Sequence, residues 1–241
     1  MQSVIFKDLG VIDYKTAWDY QEKLLQQNVA VKAALRNDPA QTTKIDTQHY
    51  FLMCEHPPVY TLGKSGDMKN VLMSEEELAA ANIEFFKTNR GGDITFHGLQ
   101  QMVGYPILDL EKIYTDIGKY MRNLEEVVIL TVAEYGIKAG RSDGETGVWI
   151  NPYIKGAERK ICAIGVRCSR WITMHGFALN VNTDLNYFKN IIPCGIEEKQ
   201  VTSIEKELGQ KVEFDELKGK IKENFKKVFD VEFVNEETEK L

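Results

Sequence analysis

The residues whose types suit chemistry are a cysteine, a lysine and a glycine-rich loop, set far apart in the chain. Cys194 stands in IIPCGI, between Pro193 and Gly195. Proline fixes one backbone angle and glycine frees the next, which places the thiol on a sharp turn rather than inside a strand. An ordinary thiol, with a pKa of about 8.5, is only a few per cent thiolate at neutral pH, so a nucleophilic cysteine needs a neighbouring cation. Lys160 opens the apolar run KICAIGVR and suits that role if its head group lies over a pocket. His97 and His175, each followed by a glycine that leaves room beside the ring, are alternative partners. A plainer reading stands beside each: cysteines in apolar runs are commonly buried and inert, and strand-end lysines are commonly solvated.

RGGDITFHG, Arg90 to Gly98, supplies two adjacent glycines for close backbone approach, flanked by an arginine and a histidine as polar anchors. It reads as a binding loop feeding a strand, although many glycine pairs before strands are simple turns. Neither the G-x-x-x-x-G-K-[ST] nor the G-x-G-x-x-G phosphate pattern occurs there. Cys54, Cys162, Cys168 and Cys194 form no C-x-x-C pair, so metal-knuckle and thioredoxin-type chemistry is not indicated. Cys54, inside YFLMCEH, reads as a core residue.

The elements that must hold these residues follow from periodicity. Residues 13 to 35 predict a helix capped by Asp13, with Ala17, Tyr20, Leu24, Val31 and Leu35 on one face. Arg36 to Gln48 carries no such period and reads as a loop. Strands are predicted at 49–56, 59–62, 94–98, 102–110, 147–151, 160–167 and 176–181, with a helix over 113–135 between them. Thr202 and Glu205 suggest a capping box for a short helix ended by Gly209, and Phe214, Leu217, Ile221, Phe225 and Val228 stripe a final amphipathic helix. Helices and groups of strands do not alternate one for one, so the expected class is α+β, a mixed β-sheet flanked by helices.

At 241 residues the chain suits one domain spanning 1–241. A net charge of −6 argues against wholesale binding to a nucleic-acid backbone. Its apolar runs are too short to span a membrane, and the MQSVIFKDLG start lacks a secretory h-region, so a cytoplasmic location and reduced thiols are expected. One local basic run stands out: between Tyr153 and Arg170, Lys155, Arg159, Lys160, Arg167 and Arg170 face only Glu158.

Six blocks in order, EHPPVYTLGK, RGGDITFHG, Q-x-VGYPILDL, KICAIGVR, MHGFALNV and IIPCGI, cover roughly residues 50 to 209. In these the chain resembles the octanoyltransferases of lipoate biosynthesis. The resemblance implies a fold similar to the catalytic domain of biotin and lipoate protein ligases. It implies an acyltransferase that moves an octanoyl group from octanoyl-acyl carrier protein to a lipoyl-domain lysine, on 2-oxoacid dehydrogenase complexes or the glycine cleavage H protein. Cys194 would carry the acyl thioester and Lys160 would lower its pKa, with no metal, ATP or other cofactor. Arg90, Gly91, Gly92, Asp93, Ile94, Thr95, Phe96 and His97 would line the site, joined by Ala163, Ile164 and Gly165 and by Gly176, Phe177 and Ala178. The basic run would then meet acidic carrier proteins. The chain departs from the family's H-G-P-G-Q after His97, where Leu99 and Gln100 replace proline and glycine. Two rivals share these features in part: an ATP-dependent ligase, which would not need Cys194, and a binding protein without catalysis. Transfer between two lipoyl-type proteins would use the same chemistry.

Overall fold

The computed structural model describes residues 1–38, 45–192 and 200–238. Strand β1 (Gln2–Val11) leads into helix α1 (Tyr14–Asn37), which starts where the Asp13 carboxylate accepts a bond from the Thr16 N–H at 2.8 Å. That bond satisfies an otherwise orphaned helix donor and holds the Asp13 pKa below its ordinary value. The chain continues through β2 (His49–Glu55), β3 (Val59–Leu62), α2 (Glu75–Ala80), β4 (Glu84–Lys87), β5 (Ile94–His97), β6 (Gln101–Ile107) and α3 (Ile117–Ala133). Then come β7 (Ala139–Ser142), β8 (Glu145–Ile150), β9 (Arg159–Ser169), β10 (Ile172–Asn180), β11 (Gln200–Val201), α4 (Ile204–Leu208), α5 (Phe214–Phe229) and β12 (Val231–Thr238).

The large sheet runs β12-β1-β2-β6-β10-β9-β8-β7, with β11 added beside β9. β1 pairs in parallel with both β12 and β2, whereas β2–β6–β10–β9–β8–β7 are antiparallel neighbours, so the sheet is mixed as expected. A second sheet, β4-β3-β5, carries the RGGDITFH segment into its β5 edge. One large core unites α3 and α5 with the sheet through Leu124, Val127, Val128, Phe225 and Phe229. A second core places Ala17, Leu24 and Leu25 of α1 on Leu52, Val103, Tyr105 and Ala178. Among the described residues no helix is long and apolar enough to cross a membrane.

The short helix α4 departs from expectation at its cap. Ser203, not Thr202, accepts from the third helical N–H, at Lys206 (3.1 Å), while buried Thr202 donates to Glu207 at 2.6 Å. The Glu205 N–H bonds the Val181 carbonyl, so no Thr202–Glu205 box forms; Gly209 does end the helix in the left-handed region. Strands β1, β4, β7, β11 and β12 and helix α2 were not foreseen. β4, β7 and β11 are short and half-buried or exposed, and their pairing comes from distant neighbours rather than from a local hydrophobic period.

The HGLQQ turn explains itself. Gln100 adopts φ +60°, the conformation that glycine takes most cheaply. It is held there by its N–H to Glu55 (2.6 Å), its carbonyl to Asn182 and Thr183, and its side chain to Asn182. Leu99 is left about half exposed.

Candidate active site

Between the two sheets lies a cavity of about 440 Å³, within the range of ~300–1,000 Å³ usual for small-molecule sites. Its base is the β9–β10 ladder, where Ala163 faces Ala178 and Gly165 faces Gly176 in register. Four small residues there leave a trough, while the Ile164 and Phe177 side chains that alternate with them turn to the opposite face and pack in the core shared with α3 and α5. The Arg90–Gly92 loop presses onto the same strand: Gly91 N–H donates to the Val166 carbonyl at 2.9 Å, and a β-carbon on Gly165 would stand 2.8 Å from the Gly91 carbonyl oxygen. Only glycine at 165 permits that approach.

Arg90 is buried and anchors the loop to β3, its Nη2 donating to the Thr61 carbonyl (2.6 Å) and hydroxyl oxygen (2.9 Å). The Thr61 hydroxyl then lies 3.3 Å from His97 Nε2. Gln101 donates to the Phe96 carbonyl and to Asn180 Oδ1, which directs its own Oε1 to His97 Nδ1 at 2.9 Å. That oxygen can only accept, which places a proton on His97 Nδ1. Asn180 extends the chain of bonds to the Thr202 carbonyl, just past β11.

Neither histidine suits the cation role left open by the sequence. Burial, with His56 and Arg90 nearby, pushes the His97 pKa well below 6.5, and burial with Arg90 and Arg167 brings His175 to about 3. Lys160 instead lines the cavity, its Nζ 4.5 Å from the centroid of the Trp149 ring.

Of the sequence-predicted residues, Arg90, Gly92, Asp93, Ile94, Thr95, His97, Lys160, Ala163, Ile164, Gly165, Gly176, Phe177 and Ala178 all reach the cavity wall. Two do not. Gly91 is turned onto β9, and Phe96, 1% exposed, stacks on Tyr187 at 4.5 Å in the core of the small sheet. Cys194 lies outside the described residues. Phe188 and Val201, on either side of it in sequence, both line the cavity, and Val201 pairs directly with Lys160.

Sequence reasoning missed Tyr14, Gln101, Tyr105, Asn180 and the Gly144–Glu145–Thr146 tip as wall residues. Asn180 had a legible signal, an amide inside the apolar strand GFALNV, since buried polar side chains need partners. The tip had none. Cys54 and Cys162 are buried, and burial raises both thiol pKa values, so neither is poised to react. Within the basic run, Arg159 pairs with Glu207 (2.8 Å) and Arg167 with Glu22 (2.6 Å), so it is a weaker patch than the linear charges suggest.

All four histidines are buried: His49, His56, His97 and His175. Burial depresses every one, His49 and His56 to about 4. The unfolded chain, with ordinary histidines near 6.5, binds more protons between that pH and the folded values, so stability rises with pH there. The contribution is complete above about pH 6.5 and is lost as pH falls toward 4, by up to ~2 kcal/mol per histidine at pH 5. Urea midpoints at pH 7, 6 and 5 are expected to fall steeply; a flat profile would mean that the rings titrate normally in the folded state.

A family model described as the lipoyl protein ligase A/B catalytic domain matches residues 13–226. Among curated proteins, the octanoyltransferase of Christiangramia forsetii is 57% identical over 232 residues, 96% of this chain and 97% of that protein. The octanoyltransferase of Flavobacterium johnsoniae is 56% identical over 234 residues, 97% of this chain and 99% of its own length. Among solved structures, the bi-partite lipoate protein ligase of Thermoplasma acidophilum superposes with a TM-score of 0.62 at 17% identity, covering 99% of this chain and 86% of that one. A lipoate-protein ligase A bound with ATP gives 0.63 at 15%, covering 99% and 90%. At such identities the structural likeness speaks for the fold alone, whereas the sequence match runs almost end to end. The chain belongs to the lipoyl protein ligase A/B catalytic domain family.

Proposed function

We propose that this chain transfers an octanoyl group from octanoyl-acyl carrier protein to the lysine of a lipoyl domain, by way of a thioester on Cys194. The observation that carries the reading is the trough of Ala163, Gly165, Gly176 and Ala178, a slot of small residues that can take an alkyl chain, with Lys160 in its wall. Its near full-length likeness to octanoyltransferases supports the same reading. Val201, close after Cys194 in the sequence, pairs with Lys160, which supports a thiol working near that ammonium. Acceptors are the lipoyl domains of 2-oxoacid dehydrogenase complexes or the glycine cleavage H protein; the Thermoplasma ligase is described together with its E2 lipoyl domain. The chain, 1–241, works as one catalytic domain in the cytoplasm.

In the first step the Cys194 thiolate attacks the thioester carbonyl, the bond to the carrier sulfur breaks, and the carrier thiolate takes a proton. In the second, the lipoyl-domain amine attacks the octanoyl-enzyme, loses a proton and expels the Cys194 thiolate. Lys160 stabilises the thiolate at both ends of the cycle and holds a proton near the entering amine. Thioester exchange is nearly balanced and amide formation runs downhill, so neither step draws on ATP. The test is mass spectrometry of the intact protein mixed with octanoyl-acyl carrier protein and no ATP. A hydroxylamine-labile octanoyl adduct is expected. Absence of an adduct, with transfer only when octanoate and ATP are supplied, would favour a ligase.

The trough also predicts specificity. Ala178→Leu fills it beside Ala163, so the far methylenes of an octanoyl chain lose their apolar contacts while a butanoyl chain does not reach them. At ~0.8 kcal/mol per buried methylene, kcat/KM for octanoyl carrier is expected to fall roughly 10²-fold, with butanoyl carrier little affected. Equal losses for both chains would place the alkyl group elsewhere.

A further inference from the structure

Glu125, on α3, is a carboxylate with no exposure to solvent, an expensive group to bury unless every lone pair is used. Its Oε2 accepts from Arg122 Nη1 (2.6 Å) and Arg141 Nε (3.0 Å), and its Oε1 accepts from the backbone N–H of Gly147 (3.0 Å). Arg141 belongs to β7, the short edge strand, and also bonds Glu126 (2.6 Å) and the Arg122 carbonyl (2.9 Å). The cluster thus ties helix α3 to both strands of the β7–β8 hairpin. The hairpin needs the tie: its ladder shifts register between Gly140 and Ser142, and that of β8 with β9 shifts at Val148–Trp149.

What the tie holds matters for the site. Gly144, Glu145 and Thr146 at the hairpin tip form one wall of the cavity. Gly147, at φ +118°, lies so close to β9 that a β-carbon on it would stand 2.6 Å from the Cys162 carbonyl oxygen and 3.5 Å from Lys160 Cε. Trp149, two residues on, sits under the Lys160 ammonium. The surface against which Lys160 is laid is therefore held by the hydrogen bond that the Gly147 N–H donates to a carboxylate on α3. Nothing in the mechanism uses Glu125 directly.

We infer that Glu125 is a positioning residue for Lys160, fixing the β7–β8 hairpin through Gly147 and so setting where the ammonium sits in the cavity. The inference rests on the role given above to Lys160. Glu125→Gln keeps an acceptor for Gly147 but loses the charge that orders Arg122 and Arg141. The hairpin then relaxes, and with it Lys160, while Glu145, Trp149 and Cys162 around it are unchanged in identity.

The experiment is single-turnover formation of the octanoyl adduct against pH for the full-length protein, with KM and kcat for transfer. It compares wild type, Glu125→Gln, Arg141→Gln, Lys160→Met and the double variant Glu125→Gln/Lys160→Met. Val128→Ala, a core truncation on the same helix, serves as the stability control. Glu125→Gln is expected to slow adduct formation about tenfold at pH 7, as small misplacements of a catalytic group do, with donor KM nearly unchanged. Its pH midpoint should move up toward that of Lys160→Met, Arg141→Gln should shift less in the same direction, and Val128→Ala should not shift. The double variant should be no slower than Lys160→Met alone, since both act through one ammonium. Multiplicative losses in the double variant, or a wild-type pH profile in Glu125→Gln beside a slow Lys160→Met, would overturn this inference alone. A Lys160→Met enzyme with wild-type rate would overturn the role of Lys160 and this inference with it. Should Glu125→Gln fail to fold, Arg141→Gln decides on the same criteria.

Discussion

Cys194→Ala is expected to form no octanoyl adduct and to lose transfer activity by at least ~10³-fold, as enzymes do when a covalent nucleophile is removed. Among the described residues no other thiol is poised to substitute. The thiols of Cys54 and Cys162 are buried with raised pKa values, and that of half-buried Cys168 is raised too. The residual rate should reflect direct attack of the lipoyl-domain amine on the bound carrier thioester, because the trough that orients the alkyl chain is intact. The measurement is adduct mass and transfer rate side by side. A labile adduct surviving on the variant would move the nucleophile to another residue, and an unchanged transfer rate without any adduct would replace the two-step route by direct aminolysis.

Lys160→Met is expected to come next in effect, with transfer at pH 7 down roughly 30-fold, because a thiol without its cation returns toward an ordinary pKa of about 8.5 and only a few per cent remains ionised. The sign is definite: removing a positive neighbour raises the thiol pKa, so the loss is greatest at neutral pH and shrinks as pH rises toward 9. Methionine retains the apolar stem that packs along Gly147 and Trp149, which separates loss of charge from loss of packing. Neither His97 nor His175 offers a substitute cation, since burial keeps both rings neutral. The pH dependence of iodoacetamide modification at the Cys194 peptide reads the thiol directly. A midpoint that stays at its wild-type value would remove Lys160 from thiol activation and leave it at most a role in the second step.

The helices α1, α3 and α5 and the long central strands were legible because each must bury one face along a continuous period, and that period survives in the residue order. The candidate site was legible for a different reason. Ala163, Gly165, Gly176 and Ala178 must be small for a trough to exist at all, and Gly165 must be glycine where Gly91 crosses it. Such constraints leave recognisable short motifs, and most of the residues in them do line the cavity. Phe96 was assigned to the wall with its neighbours, but its ring packs into the core of the small sheet on Tyr187 and Phe188. A run of sequence names a strand, while the direction of each ring within it is settled by the layer packed against it.

By itself, then, the order of residues determined the α+β class and the family motifs, and it singled out Cys194 and Lys160 as the candidates for the chemistry. Only the tertiary structure decided that His97 and His175 are neutral, that Arg159 and Arg167 are already paired, and that Tyr14, Asn180 and the Gly144–Thr146 tip share one cavity. It alone connected Glu125, on a helix with no motif, to Lys160. The physical reason is common to all of these. Charge state, desolvation and the aim of a side chain depend on groups brought near from distant parts of the chain, and no local period or composition encodes that proximity.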